Sequence, residues 1–218
     1  MKNLYIVGAG GFGRELLNLI LDIHAIAGQR WNIMGFLDDT EAPLAGKACD
    51  FPVRGTILDY HPKPDDVLAL GIASPHAKRK LVPLLRARGA FFETCIHPYA
   101  YLGRHNSIGE GAIIGGGFSM SVNVSLGDYV TILGSGMGHD VKVGDYSTIS
   151  ACCNIMGNVT IGSQAFIGGN VAIAPHVAIG ERAYVCIGSV VIKNVKAGAK
   201  VLGNPAREIN FQDPTVSS

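Results

Sequence analysis

Charged side chains are scarce in this 218-residue sequence: Lys and Arg number 18, Asp and Glu 17, together 16% of the chain, for a net charge of +1. That near-balance leaves no broad basic face to grip a phosphate backbone nonspecifically, so nucleic acid is not an expected partner. A small anionic ligand stays open. Cysteine is sparse too. There are five, with Cys152 beside Cys153, no C-x-x-C spacing, and one left over in any disulfide scheme. Reduced thiols in a cytoplasmic protein are expected. Long apolar runs are missing: Lys2 leads straight into the short stretch 4–7 and then glycines, too brief for a signal peptide or a membrane span. What remains, at 48% hydrophobic, is too apolar for disorder and large enough for one big core or two modest ones.

The second half of the chain carries an internal repeat, which decides the architecture before any local pattern does. Every sixth residue from Val143 is β-branched and aliphatic: Val143, Ile149, Ile155, Ile161, Ile167, Ile173, Ile179, Val185, Val191. Counting back in sixes from Ile132 gives Leu126, Met120, Ile114, Ile108, Leu102 and Ile96. The two frames meet in a five-residue step from Ile132 to Met137. A second column of small or medium residues stands four after the anchors, at Ser147, Cys153, Val159, Ala165, Val171, Val177, Ala183 and Ser189. A period of six fits a short strand plus a turn, three to a coil, and not a helix. Glycine follows the anchor at Gly109, Gly127, Gly144, Gly162 and Gly180, where a tight corner leaves little room for a Cβ. The expectation is a triangular prism of about five stacked coils between Ile96 and Val191, filled with aliphatic side chains.

Residues 1–92 lack this period and read as alternating strands and helices. The stretch 4–7 is a strand, followed by Gly8-Ala9-Gly10-Gly11-Phe12-Gly13, then helical spacing over 14–25. Strands over 33–37 and 67–70 and a helix over 75–88 complete a small Rossmann-like βαβαβ unit. The G-x-G-x-x-G turn is either a tight strand-to-helix connection or a cradle for a pyrophosphate at a helix N-terminus. Asp38 and Asp39, ending the second strand, favour the cradle because a carboxylate there could hold a ribose or base. A unit of this size is half a dinucleotide fold, so a nucleotide carried by a sugar fits better than a hydride cofactor; a nicotinamide-dependent oxidoreductase is the weaker alternative.

The repeat resembles the left-handed parallel β-helix of the hexapeptide-repeat acyltransferases, and the domain order resembles the bacterial acetyltransferases of UDP- or dTDP-linked amino sugars and of sialic acid. The resemblance implies an α/β N-terminal Rossmann-like domain over 1–92, binding a nucleotide sugar, then an all-β left-handed β-helix domain over 93–218 with a C-terminal tail. Handedness comes only from the resemblance, since ordinary crossovers are right-handed. It also implies a homotrimer with acetyl-CoA as cosubstrate in the groove between prisms. Members usually place a histidine in the glycine turn where this chain has Phe12, and a polar turn where it has Gly71-Ile72-Ala73. Substrate contacts are expected at Gly8, Gly10, Gly11, Phe12, Asp38, Asp39, Gly71 and Ile72.

Acetyl transfer from a thioester needs a base for the acceptor's proton and donors for the oxyanion, and histidine titrates in the useful range. Of seven histidines, His139 lies beside the phase slip, and irregularity in a regular repeat is where function is expected. The stretch 137–144 resembles the family's His-acid element, which makes His139 the general base and Asp140 the residue that orients it. Adjacent strand residues point to opposite faces, so only a bent backbone would let the two pair. His97, His105 and His176 read as structural or turn residues, and no metal site is expected. By the resemblance, Gly157, Gly168, Gly169 and Gly188 would border the pantetheine arm, and Thr148 stands where some relatives have a cofactor-contacting histidine; Lys193, clustered with Lys196, Lys200 and Arg207 near the end of the prism, could meet the CoA phosphates. The function expected is acetyl-CoA-dependent acetylation of an amine, or a hydroxyl, of a nucleotide-linked amino sugar. O-acetylation of sialic acid or another sugar, and a noncatalytic β-helix scaffold, are the alternatives.

Overall fold

The computed structural model describes residues 1–209; the tail of the expected second domain, 210–218, lies outside the described residues. Strands β1 (Lys2–Val7), β2 (Trp31–Leu37), β3 (Val53–Gly55) and β4 (Asp66–Leu70) form a parallel sheet in the order β3-β2-β1-β4. Helix α1 (Gly11–Ala27) joins β1 to β2, and α2 (Pro75–Ala87) follows β4. Alternation along β1 sets the layers: Leu4 and Ile6 pack under the Leu16, Ile20 and Ile23 stripe of α1, while Val7 faces the other side with Val82 and Leu85 of α2. Ser74 caps α2 by accepting from the Ala77 N–H, with Pro75 at the first helical position. Strand β3 is an addition to the three strands expected, and the β2–β3 connection carries no helix. Phe92 bridges Leu68 in parallel and Cys95 opens the prism, so the architecture changes between them.

Three sheets make the faces of that prism. One, with Cys95, Ile113, Thr131, Thr148, Phe166 and Tyr184 in register, is docked against the N-terminal domain. A second presents Tyr101, Ser119, Gly136, Asn154, Ala172 and Val190 outward, mostly small residues. The third is polar, with Ser107, Ser125, Lys142 and Thr160. The hexad anchors from Ile114 to Val191 are buried, as is the second column. At the open first coil, Leu102 is exposed. Glycines after the anchors have the expected cause: a Cβ on Gly144 would stand 2.5 Å from the Ser163 N of the next coil. Pairs such as Ile113 with Thr131 and Thr148 with Phe166 step by a full coil, whereas Thr131 with Thr148 and Ser119 with Gly136 step by one residue fewer. The missing residue belongs to the turn 133–135, between the docked and small-residue faces. His139 sits at the following edge, between the small-residue and polar faces, so the slip is one edge away from it.

The domains are locked by polar contacts that the repeat does not announce. Lys78 of α2 is fully buried, and its ammonium donates to Tyr129 O (2.8 Å), Thr131 Oγ1 (3.1 Å) and Ser147 O (3.1 Å). Burial pushes its pKa well below the ordinary lysine value. Arg86 pairs with Glu110 and donates to the Tyr129 hydroxyl at 3.0 Å. Across the seam, His97 accepts from the Tyr99 N–H at Nδ1 (3.0 Å), which leaves Nε2 to donate to Asp22 of α1 (3.3 Å).

Candidate active site

The edge bearing His139 repeats one conformation in five successive coils. His105, Asn123, Asp140, Asn158 and His176 occupy the same left-handed turn position, with φ between 58° and 63°. That turn is the bend which brings adjacent residues together. His139 Nδ1–H donates to Asp140 Oδ2 at 2.7 Å, although a flat strand would have separated them. Hydrogen bonds from His139 and then Asn123 hold the Asp140 carboxyl below its usual range, so it is ionised at neutral pH and accepts only. In the neutral imidazole this puts the proton on Nδ1 and the lone pair on Nε2. Both side chains are about half exposed, at 56% and 46%. One coil on, Gly157 gives the imidazole its room: a Cβ there would lie 2.5 Å from Nε2 and 2.6 Å from Cε1. The geometry adds Asn123, whose amide donates to Asp140 Oδ1 at 3.2 Å. Its sequence signal is the spacing to Asp140, one coil across the shortened turn.

In the N-terminal domain the glycines divide by role. Gly8, Gly13 and Gly71 allow three backbones to meet: a Cβ on Gly71 would lie 2.9 Å from Gly13 Cα, and one on Gly8 3.0 Å from Gly71 O. Gly10 and Gly11 face open space. Gly10 is the N-cap of α1 and supplies no side-chain cap, so the first amides of the helix are available to a ligand. Asp38 accepts from Ala9 N (2.6 Å) and Thr40 N (2.8 Å), and Asp39 Oδ1 from Ile57 N (2.8 Å) and Leu58 N (3.0 Å). Both carboxylates therefore brace the loops around the turn. Ile72 is half-buried, its Cγ1 close against Gly8. Phe12 lines a cavity of about 250 Å³ between α1 and the prism, with Glu15, Asn18, His97, Gly116 and Leu133.

The structure does not bring all the expected cofactor residues together. Thr148 is buried in the domain seam, its hydroxyl donating to Ala73 O at 2.7 Å, and is turned away from any groove. Gly157 lies on the His139 edge, whereas Gly168, Gly169 and Gly188 lie on the edge between the docked and small-residue faces. Gly168 is a packing glycine, its absent Cβ 2.6 Å from Ile187 N, and Gly188 has φ +70° at an open corner. Lys193, Lys196 and Arg207 line one cavity of about 290 Å³ at the far end of the prism; Lys200 is not among its walls. Among the described residues, no three His, Cys, Asp or Glu side chains are grouped to hold a metal. No helix among them is long and apolar enough to cross a membrane.

Comparison with known proteins places this geometry. The sequence family described as the PglD N-terminal domain matches residues 3–84. Over 98% of its length the chain is 33% identical to 99% of the GDP-perosamine N-acetyltransferase of Escherichia coli O157:H7. The solved structure of WeeI from Acinetobacter baumannii AYE superposes with a TM-score of 0.84 at 28% identity, covering 96% of this chain and all of that one. The acetyltransferase domain of PglB from Neisseria gonorrhoeae FA1090, solved in complex with acetyl coenzyme A, gives 0.83 at 24% over 95% of this chain and 99% of that one, a likeness of fold.

Proposed function

The chain belongs to the family of bacterial sugar N-acetyltransferases in which a Rossmann-like domain precedes a left-handed hexapeptide β-helix, and from that premise we propose that it moves the acetyl group of acetyl-CoA directly onto the amine of a nucleotide-linked amino sugar, with His139 as base. The observation that carries the base assignment is the 2.7 Å bond from His139 Nδ1–H to Asp140, which in the neutral imidazole puts the lone pair on Nε2, on an exposed edge. As the acceptor nitrogen bonds to the thioester carbonyl carbon, Nε2 takes the amine proton. Asp140 stabilises the imidazolium, a prism backbone N–H meets the oxyanion, and the imidazolium returns the proton to the departing CoA sulfur. An amine acceptor is favoured over a hydroxyl because the full-length relative is an N-acetyltransferase, and GDP-perosamine is the first acceptor to assay.

The open amides at Gly10 and Gly11 suit the nucleotide's phosphates, and the cavity of Lys193, Lys196 and Arg207 suits those of CoA. The glycine turn heads α1, which packs at one edge of the small-residue face, while His139 lies at the other. A neighbouring prism against that face would bring a second His139 toward the turn, and exposed Tyr101, Val122, Met156, Ile187 and Ile192 offer it apolar contact. This supports the homotrimer. The low cysteine content without any C-x-x-C spacing, and use of acetyl-CoA, support a cytoplasmic setting.

The test is free-thiol release from acetyl-CoA with GDP-perosamine, other nucleotide-linked amino sugars, and sialic acid. Turnover with an amino sugar, reduced about 10²- to 10⁴-fold by His139→Ala with CoA binding retained, is expected. Near-normal turnover by His139→Ala would refute the base assignment.

A further inference from the structure

We infer that Asn123 is a positioning residue for acetyl transfer, holding Asp140 in the one orientation that keeps His139 ready as base. The inference rests on the base role proposed for His139. Asn123 and Asp140 stack at the same left-handed corner in successive coils, φ 58° and 59°, tied by the bond from Asp140 N to Val122 O at 3.0 Å. The Asn123 amide donates to Oδ1 at 3.2 Å while His139 Nδ1–H donates to Oδ2 at 2.7 Å. Asp140 is exposed, and an aspartate's terminal torsion is broad, so a carboxylate held from one side only would swing. Held from both sides, its plane is fixed and Oδ2 stays on the imidazole.

Asparagine is also a favoured residue for a left-handed corner, and that would place it here without any role in catalysis. The same edge separates the two explanations. The corner needs only a residue that tolerates positive φ, which glycine and aspartate both do; orienting Asp140 needs a donor. The other ionisable groups of the edge are His105 with Arg104, one coil beyond Asn123, His176, two coils beyond Asp140, and Lys193, three coils beyond His139.

The experiment titrates the His139 imidazole by proton NMR in the full-length protein, the resonance being assigned by its loss in His139→Ala, alongside turnover with acetyl-CoA and GDP-perosamine. Asn123→Gly keeps the corner and removes the donor. It should lower the His139 pKa, because a loosened Asp140 stabilises the imidazolium less, and reduce kcat about 3- to 10-fold with KM for acetyl-CoA unchanged. Asn123→Asp also keeps the corner and removes the donor, and should reduce kcat likewise. An unchanged His139 titration in Asn123→Gly overturns the inference. Should Asn123→Gly not fold, kcat of Asn123→Asp carries the test, and wild-type turnover there overturns the inference. If His139→Ala turns over normally, it is the base assignment that fails, whatever the titrations give.

Discussion

Replacing Gly157 by alanine is the sharpest test of where His139 must stand. In the structure the imidazole occupies the space where a side chain at 157 would begin: an added Cβ would lie 2.5 Å from Nε2, 2.6 Å from Cε1 and 3.0 Å from Cδ2. To reach the 3.4 Å of ordinary contact, the ring must retreat by about 0.9 Å. The nearest atoms all belong to the imidazole, so the prism has no reason to unfold and the ring is what yields. A displacement of that size takes Nε2 off the line to an acceptor and strains the bond to Asp140. Misplacing a catalytic group by about 1 Å costs on the order of 10²-fold, close to 2.7 kcal/mol of transition-state stabilisation. Gly157→Ala should therefore lose about a hundredfold in kcat while its melting temperature and CoA binding stay near those of the wild type. Steady-state thiol release at saturating acetyl-CoA reads the first, and thermal shift with CoA the others. Unchanged kcat would refute the placement of His139 over Gly157. A loss confined to KM for acetyl-CoA would instead make Gly157 a cofactor contact, the role its place in the repeat suggests.

Other expectations follow from the seam and the prism end. Lys78 has a depressed pKa, so below 10.5 the unfolded chain binds more protons than the folded one. Stability should rise with pH toward 10.5, by up to about 1.4 kcal/mol per unit, and fall as pH drops toward the folded pKa. Lys78→Met should lose this slope in urea unfolding at several pH values; parallel slopes would refute it. Reversing the charges of Lys193, Lys196 and Arg207 should raise KM for acetyl-CoA about tenfold and flatten its salt dependence, with kcat unchanged. A salt response equal to that of the wild type would remove these residues from the cofactor site.

The β-helix is legible in the sequence because a six-residue period writes every coil many times over: each buried anchor from Ile114 to Val191 restates the same packing demand. His139 draws notice in the sequence as well, but by a feature that lies elsewhere. The slip that draws notice to His139 belongs to the turn 133–135, and that turn helps to wall the cavity beneath α1 through Leu133. A better signal is present in the spacing, since Gly157 follows His139 by one regular coil, and a small residue in that register is what an outward-lying ring needs. Thr148 is misread from sequence because its neighbours in the repeat are indistinguishable from surface positions. Which face of a prism is docked depends on a domain that ends some fifty residues earlier, and the hexad period carries no information about it.

The same reasoning explains why the strongest polar anchor leaves no trace in the sequence. Lys78 heads a basic run in its helix, Lys78-Arg79-Lys80, and nothing local separates the buried cation from its neighbours. Its burial is set by three acceptors contributed from Tyr129, Thr131 and Ser147, which the prism brings to one corner only when the coils are stacked. A buried lysine without a carboxylate partner is tolerated there because its amino group is bonded to all three acceptors while burial favours its neutral form. Moving α2 would strip those bonds from a buried polar group, so the seam resists sliding and the glycine turn keeps a fixed place relative to the prism. That fixed relation is what a direct-transfer enzyme requires: with no covalent intermediate to carry the acetyl group between sites, acceptor amine and thioester must be held within bonding reach in a single encounter.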